Sequence, residues 1–153
     1  MKTRLYSRND LDTVLNLFYE NVHHVCKDNY SPEQLAAWAP EKPDTYRWEA
    51  SLDKCHTLVC EKNNHIVGFG SIGETGYIDY LYVDYHYLHQ GVATLLLEQL
   101  EKYARAKGMI YLNTAASLNA CPFFEKNGYA VIKEQSVERH GVRLSRYLME
   151  KKI

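Results

Sequence analysis

The sequence predicts an α/β (α+β) domain, built on a central, twisted, mixed but mostly antiparallel sheet with helices on both faces. Three observations predict it. A chain of 153 residues with 46% hydrophobic and 24% charged residues has the size and composition of one globular domain, taken as 1–153. The hydrophobic period switches between helical and two-residue spacing along the chain, so helices and strands are intermixed. The most strand-like segment, Tyr77–Val83, leads through a turn containing Gly91 into the most helix-like one, and a further strand follows. That is the βαβ crossover unit, in which ligands bind at the strand's carboxyl end.

Lys2–Tyr6 reads as a short first strand. Leu11, Val14, Leu15, Phe18 and Val22 then recur at helical spacing, with Ser7 or Asn9 to cap the start. Ser31-Pro32-Glu33-Gln34 is a second start signal, a capping box with proline at the first helical position, and the short helix carrying Leu35 and Trp38 ends before Pro40. Lys42–Leu52 opens with a turn and continues as another short helix bearing Trp48. Thr57–Glu61 and His65–Ile72 form a hairpin around the tight-turn sequence Lys62-Asn63-Asn64. Gly73 and Gly76 bracket the turn into Tyr77–Val83, which is rich in aromatic and branched residues. On the next helix Val92, Leu95, Leu96, Leu100, Tyr103 and Ala104 share one face, Glu98 pairs with Lys102 and Glu101 with Arg105 outside, and Gly108 ends it. Ile110–Thr114 is a strand, Ala120–Lys126 a short helix stopped by Asn127-Gly128, and Tyr129–Glu134 with Val142–Met149 a final hairpin.

Eighteen Lys and Arg against nineteen Asp and Glu leave a net charge of −1, so no overall field recruits nucleic acid. No apolar run approaches the roughly 18 to 20 residues that cross a bilayer, and the opening Met1–Tyr6 lacks a signal-peptide core. A cytoplasmic protein with no membrane partner is expected. Cys26, Cys55, Cys60 and Cys121 form no CxxC pair and read as reduced thiols. His23, His24 and Cys26 have no second ligand pair at a zinc spacing, so no metal is expected. Cys121, with no histidine partner evident, reads as a small buried residue rather than a nucleophile. The oligomeric state stays open, a homodimer included.

His86–Thr94 joins the strongest strand to the strongest helix. A helix start leaves N–H groups unpaired and carries partial positive charge, which favours a phosphate group, and Gly91 lets the backbone come close. Neither GxGxxG nor a P-loop lysine is present, which disfavours dinucleotides and phosphoryl transfer from ATP. Leu81-Tyr82-Val83-Asp84, then Gly91-Val92-Ala93, the leucine-rich helix, and the run Ala120–Tyr129 together resemble the GNAT N-acetyltransferase superfamily across most of the chain. Tyr30–Gln34 with Ala37-Trp38-Ala39, and Cys121–Glu125, resemble its YafP-like branch. The superfamily's turn is written Gln/Arg-x-x-Gly-x-Gly/Ala; Gly91 and Ala93 match it, while Leu88 stands at the first position and brings no polar side chain.

The resemblance implies a GNAT fold around a βαβ acyl-CoA-binding core, acetyl-CoA as co-substrate, and a primary amine of a small molecule or peptide as acceptor, attacking directly. It implies that the backbone of Leu81, Tyr82 and Val83 pairs with pantetheine while the following strand splays away. His89, Gln90, Gly91, Val92, Ala93 and Thr94 would hold the pyrophosphate, and the Leu81 N–H would donate to the thioester oxygen. Ser117 stands where the family has a pantetheine-binding Asn, with Asn119 as a partial substitute. Phe124 occupies the position of the family's tyrosine acid; it is expected to be a packing wall, leaving Tyr82 as the favoured hydroxyl and Tyr80 as another. An amine needs a base, since its lysine-like pKa is about 10.4. Asp79, the one charge in an apolar and aromatic strand, is the first candidate, on the same side as Leu81 if the strand is regular; Glu74 at the preceding turn is the weaker one. An aromatic acceptor wall is expected among His23, His24, Tyr30, Trp38 and Trp48, with His24, Tyr30 and Trp38 as substrate-binding residues. Leu88 and Phe124 favour the alternative of a catalytically silent acyl-CoA-binding sensor or interaction module. Unrelated nucleotide binding through the same turn is a third reading.

Overall fold

The computed structural model describes residues 1–153. The chain runs β1 (Lys2–Leu5), α1 (Leu11–Val25), α2 (Pro32–Trp38), α3 (Thr45–Lys54), β2 (His56–Lys62), β3 (His65–Ile72), β4 (Tyr77–Val83), α4 (Val92–Ala106), β5 (Tyr111–Ser117), α5 (Cys121–Lys126), β6 (Ala130–Arg139) and β7 (Val142–Lys152). All seven strands join one sheet in the order β1-β2-β3-β4-β5-β7-β6. Only the β4–β5 pair is parallel. The sheet is therefore mixed and mostly antiparallel, as the sequence predicts; β4 and β5 are joined by the crossover helix α4, and α5 carries the chain from β5 past β7 to β6.

Side-chain alternation sorts the core onto two faces. Leu58, Cys60 and Val67 pack with α4 and α5 residues such as Leu96, Leu100 and Phe124. Val59, one step along β2, and its partner Phe69, two residues past Val67 because a bulge leaves Val67 unpaired in the ladder, pack with Val14, Phe18, Leu35 and Leu52 of the first three helices. The long helix α4 seats on the sheet because β3 carries glycine beneath it: a Cβ on Gly68 would lie 2.7 Å from Val92 Cγ1 and 3.0 Å from Leu96 Cδ1.

Local signals act where they are read. The Ser31 hydroxyl accepts from Gln34 N at 3.1 Å and Ser31 N donates to Gln34 Oε1 at 2.9 Å, closing the capping box. Asn63 and Asn64 take φ of 53° and 63°, the paired left-handed residues of a two-residue hairpin turn. The start of α1 differs from expectation. A 3-10 turn over Arg8–Asp10 comes first, and Ser7 N donates to Asp10 Oδ2 at 2.9 Å, so neither Ser7 nor Asn9 caps α1 itself. Three strands outrun their sequence signal by three residues or more, β7 running past Met149 to Lys152 along Tyr111–Asn113 of β5. β5 continues through Ala115, Ala116 and Ser117 because β7 pairs them with Leu148, Tyr147 and Arg146. The polar stretch of β6 from Gln135 to Arg139 is likewise carried by β7.

Gly68→Ala is expected to cost about 1–3 kcal/mol through overpacking against Val92 and Leu96, read from the urea midpoint; an unchanged midpoint would show that α4 can shift off β3 without loss.

Candidate active site

β4 and β5 stay together for only two residue pairs, Tyr77↔Asn113 and Ile78↔Thr114. The Thr114 hydroxyl donates to the Ile78 carbonyl at 2.9 Å, just where they part. Beyond that point β5 follows β7 and β4 follows β3 as far as Val83↔Gly68. Asp84 N donates to the Val67 carbonyl at 2.8 Å, toward β3. Because backbone groups alternate along a strand, the N–H groups of Val83 and Leu81 turn the other way, into the gap. The Val83 carbonyl shares that direction and is taken by Asn21 Nδ2 at 2.7 Å, a buried bond from α1.

A bulge decides what β4 shows to each side. Ser71 pairs with Tyr80 but Ile72 pairs with Ile78, so Asp79 is an extra residue in the ladder. The regular-strand expectation that Asp79 shares a side with Leu81 is therefore corrected. Ile78 and Leu81 face the α4 core, whereas Asp79 joins Tyr77, Tyr80 and Tyr82 on the opposite face. A regular strand would have driven the carboxylate into the apolar layer beneath α4.

On that opposite face lies a cleft of about 720 Å³ between the sheet, the first three helices and the β6–β7 hairpin. Asp79 forms part of its floor. Ser51 of α3 donates to Asp79 Oδ2 at 3.3 Å and lies 3.3 Å from the Tyr80 hydroxyl. Asp79 keeps an open path to solvent along the cleft, yet the surrounding walls strip much of its water. Burial pushes its pKa above the ordinary aspartate value, while the Ser51 hydrogen bond and the charges of Arg146 and Arg47 pull the other way. The aromatic wall is tightly assembled: Trp48 stacks on Tyr80 at 4.5 Å and meets Phe18 edge-on at 4.8 Å, and Phe18 meets Tyr82 edge-on at 4.9 Å. Burial pushes the Tyr82 phenol far above the ordinary tyrosine range, so it stays protonated.

At the far end of β4 lies the turn into α4, a helix start of the kind that favours an anion. His89 and Gly91 take φ of 60° and 84°. Gly91 is the N-cap of α4, with no side chain capping that end and no acidic residue in the first turn. The N–H groups of Val92, Ala93 and Thr94 are left without helical partners. The Leu88 side chain packs into the α4 core instead of reaching outward. Charge arrives from elsewhere, because Lys62 Nζ donates to Gln90 Oε1 at 2.8 Å.

The other residues singled out from sequence divide. Trp38 lines the cleft and meets Tyr30 edge-on at 5.2 Å. Tyr30 borders the cleft but is a strut, its hydroxyl donating to the Ser145 carbonyl at 2.7 Å and accepting from Leu118 N at 3.0 Å. His24 is not brought to the cleft: its ring stacks on Tyr85 at 4.0 Å, outside, because the last turn of α1 faces the 3-10 turn Tyr85–Tyr87. Ser117 lines the cleft and its hydroxyl accepts from Ala120 N at 3.2 Å. Asn119 Oδ1 is buried with no hydrogen-bond partner. Phe124 is 4% exposed and packs edge-on against Tyr129 at 5.3 Å. Cys121 is buried, and burial and Glu125 raise its thiol. Reading the sequence missed Ser51, Arg47, Arg146, Asn21 and Lys62. Ser51 was within reach of helical periodicity, three residues from Trp48, and Arg146 of strand alternation, two from Leu144.

The acetyltransferase (GNAT) domain family matches residues 26–151, a span that takes in the sheet gap, the turn and most of the cleft wall. The chain belongs to the GNAT acetyltransferase family. The uncharacterized N-acetyltransferase YafP of Escherichia coli is 36% identical over 152 residues, 99% of this chain and 96% of that one. The crystal structure of a GCN5-related N-acetyltransferase from Rhodopseudomonas palustris superposes with a TM-score of 0.97 at 34% identity, covering 99% of this chain and 95% of that one. The PaiA N-acetyltransferase of Thermoplasma acidophilum, solved in complex with coenzyme A, shares the fold with a TM-score of 0.81 at 21% identity, over 99% of this chain and 98% of that one. The reaction of the GNAT family, acetyl-CoA-dependent acetyl transfer, makes this chain an acyltransferase.

The raised Asp79 pKa also bears on the stability of this GNAT enzyme. The folded chain binds that proton more tightly than the unfolded chain, whose value is near 3.8. Ionisation therefore costs stability as pH rises through the folded value, and the cost disappears below both values. Asp79→Asn is expected to melt higher than the parent near pH 7, with the gap closing toward pH 4; a lower melting temperature at neutral pH would contradict it.

Proposed function

We propose that this acetyltransferase acetylates a primary amine of a small molecule or peptide by direct attack. The observation that carries the reading is β4 itself: one bulged strand turns the Asp79 carboxylate into the cleft and the unpaired Leu81 N–H into the gap beside it. Base and oxyanion donor are thus held two residues apart on a rigid element.

The residues fit the co-substrate. Acetyl-CoA supplies the acetyl thioester. The open N–H groups at His89–Thr94 suit its diphosphate, and Gly91 leaves room there, since a Cβ would meet nothing nearer than Met1 Cε at 4.0 Å. Lys62, beside Gln90, supplies the positive charge that Leu88 does not. The unpaired β4 backbone at Leu81–Val83 suits the pantetheine amides, and Ser117 and the unpartnered Asn119 Oδ1 stand at the end of β5 to accept from them. Phe124, enclosed beside Tyr129, closes the back of that channel as an apolar wall.

Asp79 takes the proton of the acceptor's ammonium, directly or through one water, and its raised pKa makes it a better base for that transfer. Ser51 fixes the carboxylate's orientation. The amine nitrogen bonds to the acetyl carbon, the C–S bond breaks, and its electron pair leaves with sulfur, which takes up the second amine proton through water to give the free thiol. The Leu81 N–H donates to the carbonyl oxygen as negative charge grows there. A thiolate with a pKa of about 8.5 leaves without a dedicated acid, so the buried Tyr82 hydroxyl acts as a hydrogen-bond donor on the cleft floor. Trp38 and Tyr30 close the acceptor side.

Thiol release from acetyl-CoA, screened over polyamines, aminoglycosides, amino acids and short peptides, tests the reading. Turnover is expected with at least one class, and Asp79→Asn is expected to lower kcat/KM by roughly 10²- to 10⁴-fold with calorimetric affinity for acetyl-CoA unchanged. Binding without release across the whole panel would favour the silent acyl-CoA-binding module, which the absence of a hydroxyl at Phe124 would then explain.

A further inference from the structure

We propose that the acceptor carries a carboxylate close to its reacting amine, an amino-acid-like zwitterion whose anionic end is held by Arg47, Arg139 and Arg146. This rests on the acetyltransferase reading of the same cleft and goes beyond it by naming the acceptor's chemistry.

Of the seven arginines in the chain, Arg4, Arg8 and Arg105 are ion-paired to carboxylates. The three that line the cleft, Arg47 on α3, Arg139 at the end of β6 and Arg146 on β7, are in no ion pair. They come from three elements far apart in sequence and converge only in the fold. Arg146 is half-buried and held in one orientation. Its Nε donates to Gln135 Oε1 at 2.7 Å, which fixes the guanidinium plane and leaves both terminal nitrogens without a protein partner. That is the free fork which grips a carboxylate with two parallel bonds. Its charge is felt on the floor, where Arg146 acts with Arg47 on Asp79 and with Arg139 on Tyr77.

The cleft's acids do not cancel these cations. Glu20 Oε2 lies 3.3 Å from His24 Nδ1, and the Asp44 carboxylate accepts from Arg47 N at 3.1 Å at the start of α3. Glu41, on the loop before α3, also lines the cleft but forms no ion pair with any of the three, and Asp79 is reserved for the amine proton. A polycationic acceptor would meet uncompensated guanidinium groups beside the reacting nitrogen. A carboxylate there neutralises them and leaves the rest of the acceptor to Trp38, Trp48 and Tyr80.

The test uses a series of amino acids, each with its amide and its decarboxylated amine, assayed for thiol release with acetyl-CoA and for binding to the coenzyme A complex by calorimetry. The free acid is expected to exceed its amide in kcat/KM and in affinity by about tenfold or more, the worth of a charge-assisted bond. Arg146→Gln is expected to bring that ratio close to one, and Arg146→Lys to restore part of it. Equal or better use of amides and amines, or an Arg146→Gln variant that weakens all three alike, overturns the proposal. Selective binding of free acids with no thiol release would sustain the anion site and overturn catalysis instead.

Discussion

The whole site depends on one constraint, the parting of β4 from β5 after two residue pairs. A parallel pair abandoned mid-sheet exposes backbone donors and acceptors that proteins rarely leave unmet. Here the separation is enforced from both sides. β5 is bound along its length to β7, while β4 is bound to β3, whose glycines let α4 come close. Asn21 meets the Val83 carbonyl that neither strand can reach, and Tyr30 ties Leu118 and Ser145 on the other bank to the first helices. What remains unpaired along β4 is a strip of main chain ready for an extended ligand.

The bulge at Asp79 turns this gap into chemistry. By adding one residue opposite Ser71 and Ile72 it lets the strand keep Ile78, Leu81 and Val83 in the core while presenting a carboxylate and three tyrosines on the other face. The cost is a partly desolvated charge, moderated by Ser51 and two arginines. The aromatic packing of Phe18, Trp48, Tyr80 and Tyr82 gives that charge a stiff surround, so its position is set by rings rather than by flexible chains. In the proposed mechanism stability is thereby given up at the residue that serves as base, a common trade in catalytic sites.

In the proposed reading, the turn into α4 keeps a phosphate site through a changed residue. Leu88 cannot bind an anion, and in this chain it anchors the turn in the α4 core instead. The helix start and the left-handed residues His89 and Gly91 need no particular side chain to orient N–H groups, and Lys62 brings charge from a neighbouring hairpin.

Much was legible in the amino-acid order alone, because the signals concerned are short in range. The Ser31 capping box, the Asn63-Asn64 turn, the Gly91 helix start and the aromatic and branched run of β4 are each written within a few consecutive residues. The family itself was readable in the motifs around Gly91 and Cys121, and the match over residues 26–151 agrees. What only tertiary structure decided is register and convergence. The weak strand formers Ala115–Ser117 are extended because β7 pairs with them, and the bulge that turns Asp79 away from Leu81 exists only in the pairing of β3 with β4. His24 lies outside the cleft because the last turn of α1 faces Tyr85, a contact no spacing encodes. Ser51 and Arg47 of α3, Arg139 of β6 and Arg146 of β7 line one cleft with Asp79, and long-range packing, not local propensity, brings them there.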